Sequence, residues 1–523
     1  MSHPTTTDPA LGRLADAVLI PPFAGREAPD WIREALRRGL AGVTLFGPNV
    51  HDREQLAALT ASLRSAATEP VIAIDEEGGD VTRISHQTGS DYPGNAALGV
   101  VDDVALTRSV YAALGADLAA LGVNLDLAPA VDVNTVADNP VIGTRSFGSD
   151  PDLVARHAAA AVAGLQSAGV AACAKHFPGH GSTTADSHLV IATVDAPLRV
   201  LRTRDLPPFA AAIAAGVRAI MPSHLRIPEL TGELPASLSR RALTDLLRGE
   251  LGFTGVIVSD GLEMRAVSDR YGIPEAAVQA VIAGTDLLCL GRDQDRLSFL
   301  AVRTALIESV RSGRLAGERL EEAAARVAEL RAWAAGRHGG APAAGPADGT
   351  MAHLTAADLS VVDATHVDGD GHVVGLIAAR RALAVDGNPP ALRDPLVVQL
   401  VPPPNLAVGA VPWGLRPWLA DGRYREVSTG TPAAELPDLV ARLLGEAEGR
   451  SLVVVVRDAH RHPVAAEVVR RLVAARPDAV VLEMGLPAWR PAAGRYLASY
   501  GAAYSSARAA AEVLGLTARP ARP

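Results

Sequence analysis

Lysine is almost missing from this chain: of 49 basic residues, 48 are arginine and one, Lys175, is lysine. The single survivor marks a place where a compact three-donor ammonium does what a planar guanidinium fork cannot. Cysteine is nearly as scarce. Cys173 and Cys289 are the only two, each inside an apolar strand-like run, which excludes a disulfide framework and a cysteine-based zinc site and reads as a pair of buried thiols. Aromatic residues make up 4%, too few for a long stacked polysaccharide cleft, so a short substrate is expected. No apolar run reaches the roughly 18 residues of a membrane span. No basic block occurs and the net charge is −9, which argues against nucleic acid or an anionic membrane as the main partner. The first residues, Met1-Ser2-His3-Pro4, place no basic cluster ahead of an apolar segment, so no secretory signal is read and a cytoplasmic location is the default expectation.

What is present points to a globular enzyme-sized chain. Its 523 residues predict two to three domains. A hydrophobic fraction of 48%, a charged fraction of 20% and a mean hydropathy of +0.17 exclude a disordered chain. Short apolar runs at 17–20, 42–46, 71–75, 123–127, 170–175, 217–221, 256–260 and 285–290 read as eight strands. Stretches between them, such as 52–66, 151–168 and 240–251, carry apolar residues at helical spacing. Eight strand–helix units predict an α/β fold of the (β/α)8 TIM-like barrel type over 1–335, closed by a helix at 319–335. Residues 336–349, rich in Gly, Ala and Pro, read as a linker. Beyond it, buried strands are expected at 372–377, 395–401, 451–456 and 479–482, with helices at 433–446 and 465–475, which makes 350–523 a smaller αβα sandwich domain.

Active sites of such barrels lie at the C-terminal ends of the strands. Polar residues end four of the runs: Asp75, followed by Glu76-Glu77-Gly78-Gly79 and Arg83; the segment after 127, which bears Asp132 and Arg145; Lys175-His176; and Asp260. The densest stretch is 175–188, KHFPGHGSTTADSH, with three of the 14 histidines and the only lysine. Its Pro178, Gly179 and Gly181 predict an irregular loop bearing Asp186 and His188. An Asp two residues before a His can accept the Nδ1 proton and leave Nε2 as an acid or base. His180, between two glycines, reads as a structural loop residue, and no histidine spacing or nearby cysteine implies a metal; no cofactor is expected. Asp260, exposed at a strand end, suits a nucleophile that traps a sugar covalently, although a helix N-cap is its alternative reading.

These motifs together resemble glycoside hydrolase family 3, in particular its β-N-acetylglucosaminidase branch of two-domain type. The family's Lys-His pair leading through Phe-Pro-Gly-His-Gly to Asp-Ser-His is reproduced at 175–188, its Asp-x-Glu-Gly-Gly followed by arginine at 75–83, and its Asn-Pro-Val-Ile-Gly-x-Arg-Ser-Phe-Gly stretch at 139–148. The segment 255–264 resembles the nucleophile strand. The resemblance implies a two-step retaining mechanism in which Asp260 attacks the anomeric carbon and His188, oriented by Asp186, protonates the leaving oxygen. Asp75, Arg83, Arg145, Lys175 and His176 would hold the hydroxyls and acetamido group of the sugar.

The implied partner is a small sugar substrate, namely N-acetylglucosamine in peptidoglycan fragments, with chitobiose as competitor. Because a histidine acid/base leaves no second carboxylate to repel an anionic acceptor, phosphorolysis stays open beside hydrolysis. A β-glucosidase or β-xylosidase of the same family, and a noncatalytic sugar-binding protein, are the remaining alternatives. Three positions depart from the family pattern: Asp80 stands where a basic residue is usual, Glu76 where glutamine is common, and Gly261 where a second acid is frequent. Lys175→Arg is expected to impair activity although the charge is kept; near wild-type turnover of that variant would overturn the inference from lysine scarcity.

Overall fold

In the computed structural model the described residues are 8–187, 189–338, 370–387, 391–404, 406–492 and 494–516. The chain divides into two compact units. The first comprises Met1–Glu76, Thr107–Thr135 and Ser149–His353, and the second Glu77–Leu106, Val136–Gly148 and Leu354–Pro523.

The first unit carries eight parallel strands: β1 (Leu19–Ile20), β2 (Gly42–Leu45), β3 (Val71–Ile74), β4 (Leu125–Asp126), β5 (Ala171–Phe177), β6 (Ala219–Pro222), β7 (Val256–Ile257) and β8 (Leu288–Cys289). They pair in chain order from β2 to β7. The Val258–Leu287 bridge joins β7 to β8, β8 pairs with β1, and Thr44 N–H donates to Pro21 O at 3.3 Å to close the ring between β1 and β2. Each of the eight expected strands falls in this barrel.

Alternation along the strands fills its interior. Val71 and Ala73, Leu125 and Leu127, Ala171 and Cys173, Ala219 and Met221, Val256 and Val258, and Leu287 and Cys289 form one buried cluster. Residues two apart in a strand face the same way, so these pairs are the inward rows of six strands. The helix Gly317–His338 packs Val327, Leu330 and Trp333 against the same cluster.

Asp286, fully buried just ahead of β8, is where this helix and the barrel are tied. Its Oδ1 accepts from Arg319 at 2.6 Å and Arg326 at 3.3 Å, and its Oδ2 from Arg248 and, at 2.9 Å, from Ile257 N–H. The stretch 240–251 is helical as expected, but wound with i→i−5 bonds over Arg241–Glu250; Leu251 N–H donates to Leu246 O at 2.9 Å.

The second unit holds a six-stranded sheet in the order β11-β10-β12-β13-β14-β9, made of β9 (Ala384–Asp386), β10 (Leu396–Val401), β11 (Tyr424–Ser428), β12 (Leu452–Val456), β13 (Val480–Glu483) and β14 (Arg495–Ala498). All pairs are parallel except β14 with the edge strand β9. Side chains of β10, β12 and β13 alternate between two buried clusters, one on each face, as a sandwich requires.

One expectation fails: 372–377 is not a strand but part of the helix Asp370–Ala382. Its apolar run Val373, Val374, Leu376 and Ile377 is buried on several sides, a pattern that short runs share between buried helix and strand. Strands β9, β11 and β14 were not anticipated. Tyr424-Arg425-Glu426 and Arg495-Tyr496 are too polar to stand out by hydrophobicity.

The expected boundaries also need amending. Segments 77–106 and 136–148, contiguous in sequence with the barrel, group with the C-terminal residues. Ser505 N–H donates to Ser90 O at 3.3 Å, Arg381 pairs with Asp103 at 2.8 Å, and Gly375 comes so close to Asp91 O that a Cβ would collide with it. The linker expected at 336–349 begins as the end of the helix Gly317–His338 and from 339 lies outside the described residues.

Asp286→Asn leaves buried guanidinium groups short of their counter-charge, so it should lower the unfolding free energy by about 3–5 kcal/mol in urea titrations.

Candidate active site

Three strands of the barrel continue their inward rows one step past the apolar layer, and at each the next residue is charged. Val71 and Ala73 lead to Asp75, Ala171 and Cys173 to Lys175, and Val256 and Val258 to Asp260. Strand periodicity therefore stacks these side chains on the apolar core at the C-terminal ends of β3, β5 and β7.

Lys175, only 2% exposed, donates from Nζ to Asp75 Oδ1 at 2.6 Å. The Cys173 thiol directly below is pushed up in pKa, first by burial, and it feels the charges of Lys175, Asp75, Asp126 and Asp260 together.

Asp126 on β4, between the inward-facing Leu125 and Leu127, was passed over in the sequence, where it looked like one polar residue inside a strand. It is fully buried and accepts from Glu76 N–H at 2.9 Å. Burial pushes its carboxyl well above the usual range; the Glu76 N–H works against the rise and the Glu76 charge adds to it. The departure from glutamine at 76 thus sets a second acid beside Asp126, whose charge adds to the rise that burial causes.

After Lys175 the chain is organised by Asp132. Its Oδ2 accepts from His176 Nδ1 at 2.8 Å, and its Oδ1 from the backbone N–H of His176 at 3.2 Å and of His180 at 2.6 Å. Burial alone would raise its pKa, but the His176 charge and hydrogen bond outweigh that and hold it below the ordinary value. An ionised Asp132 fixes the His176 proton on Nδ1 and orients the ring.

The loop that follows is braced rather than loose at its base. His180 bonds through Nε2 to Ser187 Oγ at 2.8 Å and through Nδ1 to Thr183 Oγ1 at 2.9 Å, Thr135 N–H donates to Gly181 O at 3.0 Å, and Arg204 reaches Ser182 Oγ at 3.1 Å. The structural reading of His180 agrees with this. Asp186 is half-buried, and its carbonyl accepts from Leu189 N–H and Val190 N–H, each at 3.1 Å. His188 lies outside the described residues.

Asp260 is half-buried, and its Oδ1 accepts from the N–H of Gly261 at 2.8 Å. It does not cap a helix in the way the alternative reading supposed; the next helix, Arg265–Tyr271, has Met264 at its N-cap. The departure at Gly261 also has a steric reason. The Glu263 carboxylate occupies the space that a side chain at 261 would enter, and it reaches Gly291 in the same way. An acid is present in that space, but it is supplied from position 263.

Arg83 and Arg145 belong to the second unit. Arg145, 8% exposed, forms a two-pronged pair with Glu77 (Nε to Oε2 2.9 Å, Nη2 to Oε1 2.7 Å) and donates to Val141 O at 3.1 Å. Arg83 donates to Val408 O at 3.2 Å and Ala407 O at 3.0 Å. Asp80, which stands where the family usually has a basic residue, lies three residues before Arg83 in the sequence. It is a buried junction, accepting from Thr144 Oγ1 at 2.6 Å and Ala502 N–H at 2.7 Å and pairing with Arg457 at 3.1 Å. Among the described residues no group of three or more His, Cys, Asp or Glu is arranged to hold a metal ion, and no helix is long and apolar enough to cross a membrane.

Residues 24–330 match the glycosyl hydrolase family 3 N terminal domain, more than half of the chain. The chain belongs to glycosyl hydrolase family 3. This family 3 chain is 35% identical over 330 residues to beta-hexosaminidase A of Pseudoalteromonas piscicida, a match that takes in 58% of it and 55% of that relative, so it spans about half of the relative's length. It is 39% identical over 266 residues to a beta-hexosaminidase of Stenotrophomonas maltophilia (strain K279a), covering 50% of this chain and 77% of that one. Among solved structures, a glycoside hydrolase family 3 beta-N-acetylglucosaminidase from Paenibacillus sp. str. FPU-7 superposes with a TM-score of 0.82 at 32% identity over 97% of each chain.

Asp80→Arg in this family 3 chain sets two cations against each other and removes an acceptor from Ala502 and Thr144. Thermal or urea unfolding should register a loss of about 2–4 kcal/mol. Adding Arg457→Asp should recover at least about 1 kcal/mol.

Proposed function

We propose that the protein is a retaining exo-β-N-acetylglucosaminidase that releases N-acetylglucosamine from short β-linked substrates. The observation that carries this reading is the position of Asp260, a carboxylate one inward step past Val256 and Val258 at the C-terminal end of β7, on the same face of the barrel as the Lys175–Asp75 ion pair at the ends of β5 and β3. In the first step a carboxylate oxygen of Asp260 bonds to the anomeric carbon, the glycosidic C–O bond breaks, and the leaving oxygen takes a proton from His188. In the second, His188 takes a proton from water, the water oxygen bonds to the anomeric carbon, and the Asp260 ester is released. Asp186 orients His188.

Lys175 and Asp75 hold each other where sugar hydroxyls meet both a donor and an acceptor, and His176, fixed by Asp132, presents its other ring edge. For Arg83 and Arg145 the sugar-binding role is carried over from the family motif alone. The name of the Paenibacillus relative supports N-acetylglucosamine as the sugar, and the 4% aromatic content supports a short substrate. Within that class, peptidoglycan fragments are proposed over chitobiose.

The test compares a chromogenic β-N-acetylglucosaminide with the matching β-glucoside, with and without phosphate. Hydrolysis of the acetylated sugar is expected, with a loss of at least about a thousandfold in Asp260→Asn. Phosphate-dependent formation of a sugar 1-phosphate would reassign the protein as a phosphorylase, and activity on the glucoside alone would overturn the reading of Asp186 and His188.

A further inference from the structure

His224 follows β6 and is completely buried. It carries no part of the motif and has no role in the mechanism above. Its Nε2 lies 3.0 Å from Gly261 O and its Nδ1 2.7 Å from Ser237 Oγ. A carbonyl can only accept, so Nε2 carries the proton, and in the neutral ring that burial favours, Nδ1 accepts from the Ser237 hydroxyl. The two nitrogens lie on separate edges of one rigid ring. The imidazole is therefore a strut from the segment after β6 to the residue that follows Asp260.

Gly261 is gripped at both ends. Its N–H donates to Asp260 Oδ1 at 2.8 Å, while its carbonyl accepts from His224 and, at 3.1 Å, from Met264 N–H. On the other side, β8 holds the same turn: Ser259 N–H donates to Leu287 O at 2.8 Å, Cys289 N–H to Ser259 Oγ at 2.9 Å, and Leu262 N–H to Cys289 O at 3.1 Å. The turn carrying Asp260 thus hangs between two strands, and His224 is its tie on the β6 side.

We propose that His224, locked by Ser237, is a positioning residue that sets the direction of the Asp260 carboxylate through Gly261. This rests on the reading of Asp260 as the nucleophile. A misplacement of about 1 Å in an attacking group costs about a hundredfold in rate. Removing the strut should therefore lower kcat and leave KM nearly unchanged, because the Lys175–Asp75 pair does not depend on it.

The experiment compares His224→Gln, whose terminal amide N–H reaches about as far as Nε2, with His224→Asn, whose amide reaches only as far as Nδ1. Both remove the ring, so a purely structural role lowers both alike. His224→Gln is expected within about tenfold of wild-type kcat and His224→Asn about a hundredfold below, with KM within about twofold in each. Ser237→Ala keeps the ring and loses only its lock; a drop of about threefold to tenfold in kcat at constant KM is expected, and this variant decides the matter if the ring replacements do not fold. Equal losses in the Gln and Asn variants, a change carried by KM, or an unaffected Ser237→Ala when the others do not fold would each overturn the proposal. Asp260→Asn measured alongside separates the two ideas: turnover persisting there removes the nucleophile reading itself, whereas its loss together with unaltered His224 variants removes only the strut.

Discussion

A lysine ammonium inside a barrel has lost its water, and it stays charged only where a carboxylate replaces that water. The 2.6 Å contact from Lys175 Nζ to Asp75 Oδ1 meets this condition, with the lysine 2% and the aspartate 20% exposed. Asp126 lies close enough for the Lys175 charge to act on it, but burial first, and the Glu76 charge with it, raise its pKa well above the ordinary value. Cys173, one inward step below, is an inert buried thiol whose ionisation is opposed by burial. A compact ammonium fits this place; a planar guanidinium needs its acceptors in a fork.

Around that centre the first unit uses a second device, the single carboxylate that organises many donors. Asp132 collects two backbone N–H groups and one imidazole, which fixes where the chain goes after β5. Asp286 collects three guanidinium groups and one backbone N–H, which ties β7 and β8 to the last helix of the barrel. In the second unit Asp80 does the same work for segments 77–106 and 136–148 by joining Thr144, Arg457 and Ala502. Its sign, opposite to the usual one at this position, follows from the partner Arg457.

The eight barrel strands were legible because each is a short apolar run bounded by turn residues, and the inward rows follow from a period of two. The helix Asp370–Ala382 was not, since a buried apolar run of its length suits either geometry until its neighbours are known. β11 and β14 escaped for the opposite reason: Arg425 and Arg495 lie on half-buried positions and interrupt the apolar signal. Among the residues at the strand ends, Asp75, Lys175 and Asp260 were legible because a charge ending an apolar run is visible in one dimension. Asp126 and Glu263 were not, because the first looked like an ordinary strand residue and the second acts by filling the space above two glycines.

The sequence alone therefore determined which residues stand at the strand ends and which family motif they form, because strand periodicity and motif spacing are properties of neighbours along the chain. Tertiary structure alone decided what those residues touch. Asp132 meets His176 across 44 positions and His224 meets Gly261 across 37, and both contacts exist only because parallel pairing of β4 with β5 and of β6 with β7 brings their strand ends together. A buried donor must find its acceptor wherever the fold delivers one, and that pairing is written in the order of the strands around the barrel, not in the spacing of the residues.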